Sequence, residues 1–188
     1  MQETTNRKPH PPSPIGVGEM SPIEGLEIPR TFYIVLDRPA PLAGMVRPSA
    51  ETPWAAFAEV GFRYIVCLTD DVPPYDPSPL ELLHSTCLED LYGGQDPVDR
   101  IAEEARIVEA IGRIYEAVRD GHGVIVHCAG GTGRTGTVIG GVLRRFGHPA
   151  NDVRAYLDSL NRRRGANWPE SPWAGDLLDR IDPARPSR

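Results

Sequence analysis

Cysteine is scarce in this chain: Cys67, Cys87 and Cys128 are the only three among 188 residues, with no Cys-x-x-Cys pair. An odd, sparse set of this kind supports neither a disulfide scaffold nor a zinc ribbon. The five histidines lie scattered without metal-ligand spacing, so no metal or other cofactor is expected. Positive charge is also in deficit, with 20 Lys and Arg against 26 Asp and Glu and a net charge of −6. That balance gives no general attraction to nucleic acid or to an anionic membrane, and leaves room only for a local basic pocket. Long apolar runs are missing as well. The opening residues MQETTNRKPHPPSPIGVGEM lack the apolar centre of a signal peptide, and no stretch approaches the ~20 apolar residues of a membrane span. A cytoplasmic protein without membrane insertion is expected.

What remains suits one globular domain with a tail: 40% of residues are hydrophobic and 24% charged, enough for a substantial core. Residues 1–30 hold six prolines (Pro9, Pro11, Pro12, Pro14, Pro22, Pro29) and few large apolar residues, which predicts an arm that burial does not order, at least to about Met20. The domain is expected over residues 31–188. TFYIVL reads as a strand, AGMVRPS as a loop, and the next segment as a helix with Thr52 as cap and Pro53 in its first turn. FRYIVCL is a second strand, and HSTCL a weaker one after a proline-rich loop. Ile101, Ala105, Val108, Ile111, Ile114, Tyr115 and Val118 recur at three- and four-residue intervals, the stripe of a core-facing helix over 98–118. VIVH then reads as a buried parallel strand and TGTVIGGVLRRFG as a helix. Asn151 caps a further helix through Leu160, with Arg162 to Arg164 complementing its carbonyl end, and a short one runs from about Pro172 to Ile181. Alternating strands and helices imply an α/β sheet.

The chemistry concentrates in VIVHCAGGTGRTG, residues 124–136, where a strand ends and a helix begins. Ligands of such sheets bind at the carboxyl ends of strands. Gly130, Gly131 and Gly133 let the backbone curl so that successive N–H groups face one centre, and the helix start adds partial positive charge. That is a cradle for a tetrahedral dianion, formed by Ala129, Gly130, Gly131, Thr132 and Gly133. Cys128 opens it, in surroundings that favour thiolate over thiol. Arg134 closes it with a planar fork for two phosphate oxygens. Attack by sulfur would give a cysteinyl-phosphate, released by water.

HCAGGTGRT resembles the His-Cys-x-x-Gly-x-x-Arg-Ser/Thr signature of protein-tyrosine phosphatases, including the dual-specificity branch, and a looser similarity covers about residues 31–182. The resemblance implies a central mixed, mostly parallel sheet flanked by helices, and a phosphorylated substrate, protein or small molecule. By it His127 orients the loop and Thr135 assists sulfur as leaving group, although Thr135 is equally explained as an N-cap. The position of the loop in the last third of the chain sets it apart from low-molecular-weight phosphatases and arsenate reductases, and its lack of lysine from branches acting on inositol phosphates. LAGMVRPS resembles a loop that gives Arg47 as a substrate contact.

The family's glutamine loop has no counterpart, because no glutamine follows Gln95 and the region reads NWPESPWAGD. The general acid that the family places before the long helix has three candidates, Asp90, Asp96 and Asp99: spacing from Cys128 points to Asp96, whereas the context LEDLYGGQDP points to Asp90, which is preferred, with Asp96 as the alternative. The rivals are an inactive phosphate-binding module and an adaptor working through its proline-rich arm. Cys67 and Cys87 read as core residues that could also pair reversibly with Cys128.

Overall fold

The computed structural model describes residues 11–14, 23 and 26–184. Most of the proline-rich segment therefore lies outside the described residues. Among the described residues the strands are β1 (Phe32–Leu36), β2 (Leu42–Met45), β3 (Phe62–Cys67), β4 (Glu81–Ser85) and β5 (Gly123–His127). The helices are α1 (Trp54–Glu59), α2 (Arg100–Arg119), α3 (Gly133–Phe146), α4 (Ala150–Arg163) and α5 (Pro172–Arg180). The sheet runs β1-β2-β5-β3-β4, antiparallel at β1–β2 and parallel elsewhere. This is the α/β fold with a mixed, mostly parallel sheet.

Every residue of β5 is buried, and the apolar run Val124–Val126 within it suits a strand covered on both faces, in keeping with its central place. Strand alternation divides the core. Val124 and Val126 face a large cluster with Ile107, Ile111, Ile114, Val138, Ile139 and Leu143 from α2 and α3. Ile125 faces a smaller one, where Phe32 stacks on Phe57 at 4.9 Å and meets Phe62 edge-on at 5.8 Å. Ile23 belongs to that smaller cluster, with Leu26 and Ile28 packed against it. The packed unit thus reaches upstream of Thr31, because three apolar side chains of the proline-rich segment find a face to cover. Pro12 also touches the domain, its carbonyl 2.8 Å from His148 Nε2.

Several local expectations are corrected. Leu42–Met45 is a strand and not part of a loop: flanked by β1 and β5, it is held by pairing on both sides despite its glycine. The weaker strand lies at Glu81–Ser85 and not at HSTCL, and the chain beyond it keeps single bonds to the β3 end, Thr86 N to Cys67 O at 3.0 Å and Leu88 N to Leu68 O at 3.2 Å. Thr52 does not cap α1; its Oγ1 accepts from Ser49 N at 2.8 Å, and Pro53 holds the cap position. The cap of α4 is Pro149 and not Asn151, whose Oδ1 accepts from Arg154. In α2 the buried stripe is Ile107, Ala110, Ile111, Ile114, Ala117 and Val118, while Ile101 is 85% exposed and Ala105 and Val108 face outward.

Candidate active site

The central strand delivers Cys128 to the carboxyl edge of the sheet, where the chain turns into α3. Three successive carbonyls of the turn are bonded from outside: Ala129 O by Arg47 N at 2.9 Å, Gly130 O by Arg164 at 3.2 Å, and Gly131 O by the Tyr33 hydroxyl at 2.8 Å and Arg164 at 2.9 Å. N–H and C=O point in opposite directions across a trans peptide, so carbonyls fixed outward leave the amides facing inward. Gly131 has φ +67°, and a Cβ there would lie 2.6 Å from Met45 O, so only glycine fits. Cys128 is 2% exposed at the foot of this curl. The cap of α3 is Thr132, which corrects the N-cap reading of Thr135; Thr135 is fully buried inside the first turn, and its hydroxyl has no hydrogen-bond partner among the described residues.

Arg134, also in that first turn, reaches Asp90 Oδ2 at 3.1 Å and Leu88 O at 3.4 Å. Asp90 stands on the segment between β4 and α2. The buried Glu103 carboxylate anchors this segment by accepting from Glu89 N at 2.9 Å, and Glu89 in turn accepts from Val98 N at 2.9 Å. Asp96 is elsewhere, ion-paired to Arg100, and Asp99 is the residue that caps α2, accepting from Ile101 N and Ala102 N. Of the three aspartates, the structure brings Asp90 to Arg134.

His127 is fully buried, with Nδ1 3.3 Å from Cys128 O and Nε2 hydrogen-bonded to the Tyr75 hydroxyl. Cys67, its register partner on β3, lies close by. Burial pushes the Cys67 thiol up, but hydrogen bonds with His127 and Thr69 outweigh that and hold it down at about 6. Arg47 sits beside the loop with its guanidinium taken by Asp70 at 2.7 Å. The Thr69 hydroxyl and then Arg47 hold the Asp70 carboxyl below the usual range. Cys87 is exposed on the segment after β4, which corrects its reading as a core residue. Among the described residues no three His, Cys, Asp or Glu side chains converge as a metal set.

Sequence reasoning missed Glu170. Its carboxylate lies against Gly133, where a Cβ would come within 1.7 Å of Oε2, and its carbonyl accepts from Gly94 N at 3.0 Å. Burial and the nearby Asp90 charge raise its carboxyl above the ordinary glutamate range. With Leu88, Gly133, Arg134, Thr137 and Trp173 it lines a cavity of about 20 Å³, room for roughly one water. The sequence signal was an acidic residue in NWPESPWAGD, where the family's glutamine was sought. Arg164 was likewise read only as a helix-end charge.

Residues 30–167 match the model of the Swiss Army Knife phosphatase family, described as a DSP-PTPase phosphatase domain. Solved structures share the fold. Tk-PTP in its active form is 25% identical, with 75% of this chain and 90% of that chain covered and a TM-score of 0.52. Human DUSP28 is 20% identical over 75% and 87% of the two chains, with a TM-score of 0.55. The core catalytic domain of the PP-IP phosphatase SIW14 from S. cerevisiae is 12% identical over 75% and 80% of the two chains, with a TM-score of 0.55, and shares the fold. The chain belongs to the dual-specificity-like branch of the cysteine-dependent protein-tyrosine phosphatase superfamily, and its domain is a phosphatase domain. Among the described residues no helix is long and apolar enough to cross a membrane.

Proposed function

We propose that this phosphatase hydrolyses phosphate monoesters on protein, phosphotyrosine above all, through a cysteinyl-phosphate on Cys128. The observation that carries the reading is the meeting of Arg134 and Asp90 beside the Cys128 loop. A substrate dianion enters the curl of amides from Ala129 to Arg134, and the guanidinium turns from Asp90 to two of its oxygens. Cys128 Sγ attacks phosphorus in line, forming the S–P bond as the bond to the ester oxygen breaks. Asp90, released from its cation and protonated, gives its proton to the departing oxygen. In the second step Asp90 takes a proton from a water that attacks phosphorus, the S–P bond breaks, and inorganic phosphate leaves. The unpartnered Thr135 hydroxyl is free to donate to the departing sulfur. His127, locked between Tyr75 and the Cys128 carbonyl, fixes where the sulfur starts.

Protein substrates are favoured over polyphosphorylated small molecules by the loop itself, which carries no cation between Cys128 and Arg134. Arg47, the substrate contact suggested by resemblance, has its charge engaged by Asp70 and would need to exchange that partner for substrate. The test is release of phosphate from an aryl phosphate and from a tyrosine-phosphorylated peptide, under reducing conditions and in the presence of a chelator. Turnover of both is expected with the parent protein. Cys128→Ser should bind a phosphate analogue without turnover, because a hydroxyl is a poor nucleophile at neutral pH. A protein that binds the analogue but never releases phosphate would leave the inactive binding module standing instead.

A further inference from the structure

Arg164 is the cap residue at the end of α4, and its side chain makes more polar contacts than the helix-end role requires. Nε donates to Pro29 O at 3.0 Å, and Nη2 to Arg30 O and Gly130 O, both at 3.2 Å. Nη1 lies 2.9 Å from Gly131 O, 3.3 Å from Thr132 Oγ1 and 2.7 Å from Asn161 Oδ1. The guanidinium plane also lies over the Tyr33 ring, 4.3 Å from its centre, and the Tyr33 hydroxyl shares Gly131 O with it. Asn161 is fully buried and is itself fixed by donating to Leu157 O at 2.8 Å. A planar group with five N–H donors suits this task, and an ammonium does not.

We propose that Arg164 is a positioning residue for the phosphate loop, which it shares with the N-terminal segment at Pro29 and Arg30. The loop binds an oxyanion through amides, and their direction is set by where the carbonyls on the far side of each peptide are held. Arg164 holds two of those carbonyls, at Gly130 and Gly131. Pro29 and Arg30 use other N–H groups of the same guanidinium, so an event that pulls this segment away disturbs the loop's support. Binding at either end must then be felt at the other, since coupling between sites is reciprocal. The inference rests on the loop being the anion site, as the proposed function has it.

The test uses the full chain with tungstate as the probe. Calorimetry should show Arg164→Met binding tungstate at least about tenfold more weakly than the parent, one charged contact being worth that much. Turnover of an aryl phosphate should fall by a similar or larger factor in kcat, and millimolar guanidinium should restore part of both losses, which a general loss of packing would not allow. Hydrogen exchange of the Gly131 and Thr132 amides, which share their peptides with the two held carbonyls, should speed up at least about tenfold in the ligand-free variant. In the parent, tungstate should slow exchange of the Leu26 and Thr31 amides, bonded to Ile23 O and Glu27 O, and Arg164→Lys should abolish that response. Arg164→Lys also serves where the methionine variant does not fold. Tungstate affinity and loop exchange within twofold of the parent in either folded variant would overturn the proposal. A parent that binds no tungstate would sink the phosphatase reading, while ligand-free loop exchange would still decide the role of Arg164.

Discussion

Asp90 and Arg134, 44 residues apart in the chain, meet at 3.1 Å beside the loop that begins at Cys128. The aspartate side chain is 58% exposed and the arginine 14%, so the partner free to move is the carboxylate. It occupies the cation that the proposed mechanism assigns to the substrate phosphate. Asp90→Asn should therefore bind tungstate as tightly as the parent or tighter, while turnover of phenyl phosphate, whose leaving group needs a proton, falls by up to ~10²–10⁴-fold. An aryl phosphate with a nitrophenol leaving group should be slowed far less. Asp96→Ala should change neither rate, because its carboxylate is engaged with Arg100 at the approach to α2. Comparing the two variants on the two substrates decides between the aspartates, and a selective loss in Asp96→Ala would reverse the assignment.

The segment that carries Asp90 has few regular hydrogen bonds, and its anchor is Glu103, 1% exposed. That carboxylate accepts from Glu89 N and from Arg106. Glu103→Ala leaves a buried N–H without a partner and removes the charge that faces Arg106, a change costing about 1–3 kcal/mol. The midpoint of chemical denaturation should drop accordingly. Activity at a temperature where the variant is fully folded should still fall, and more for phenyl than for nitrophenyl phosphate, since Asp90, the proposed acid, is no longer held in place. Equal loss on both substrates would mean that Glu103 supports the fold alone.

What the sequence revealed followed the strength of the local signal. The Cys128–Arg134 loop was legible because glycines, thiol and cation are adjacent in the chain, and β5 because a short apolar run after a glycine turn suits a strand buried on both faces. Leu42–Met45 was not, since its strand character comes from two neighbours distant in sequence. Asp99 was overlooked as the cap of α2 although it is the third aspartate of the loop. Glu170 and Arg164 are contributed by a segment 30 or more residues beyond the loop. Nothing local to either marks it as a neighbour of Gly133 or Gly131; only the turn after α4 brings them back.

Cys67 was a candidate redox partner for Cys128, and the sheet sets the two side chains apart. Cys67 is in register with His127 on the parallel neighbour, so these two share a face and Cys128, the next residue, points to the other. Cys128 accordingly joins the cluster of Val66, Leu68 and Val126, whereas Cys67 contacts Thr69 and Asp70. Thiols whose Cβ vectors diverge do not bridge without backbone movement. Mild peroxide treatment of the native protein should oxidise Cys128 without an intramolecular bridge to Cys67, and Cys67→Ser should be inactivated at the parent's rate. A protected peptide pair linking residues 67 and 128 in a non-reducing digest would show that the strands part.

The raised Glu170 carboxyl makes a prediction about stability and pH. Burial, and then Asp90, disfavour its charged form, while Arg134 and the Gly133 amide oppose them only in part. An unfolded glutamate titrates near 4.3, so between that value and the higher folded one the native state binds more protons than the unfolded state. Stability from this group is then fully present below about pH 4.3 and is lost as pH rises through the folded value. Glutamine keeps the shape and the acceptor for Gly133 N but cannot ionise, so Glu170→Gln escapes that loss. The variant's Tm should match the parent's near pH 4 and exceed it at pH 7, by a few degrees for each kcal/mol involved. Scanning both proteins by calorimetry from pH 4 to pH 8 would check this, and a difference that is constant with pH, or that favours the parent at pH 7, would show that Glu170 is stabilised as the anion by Arg134 and the start of α3.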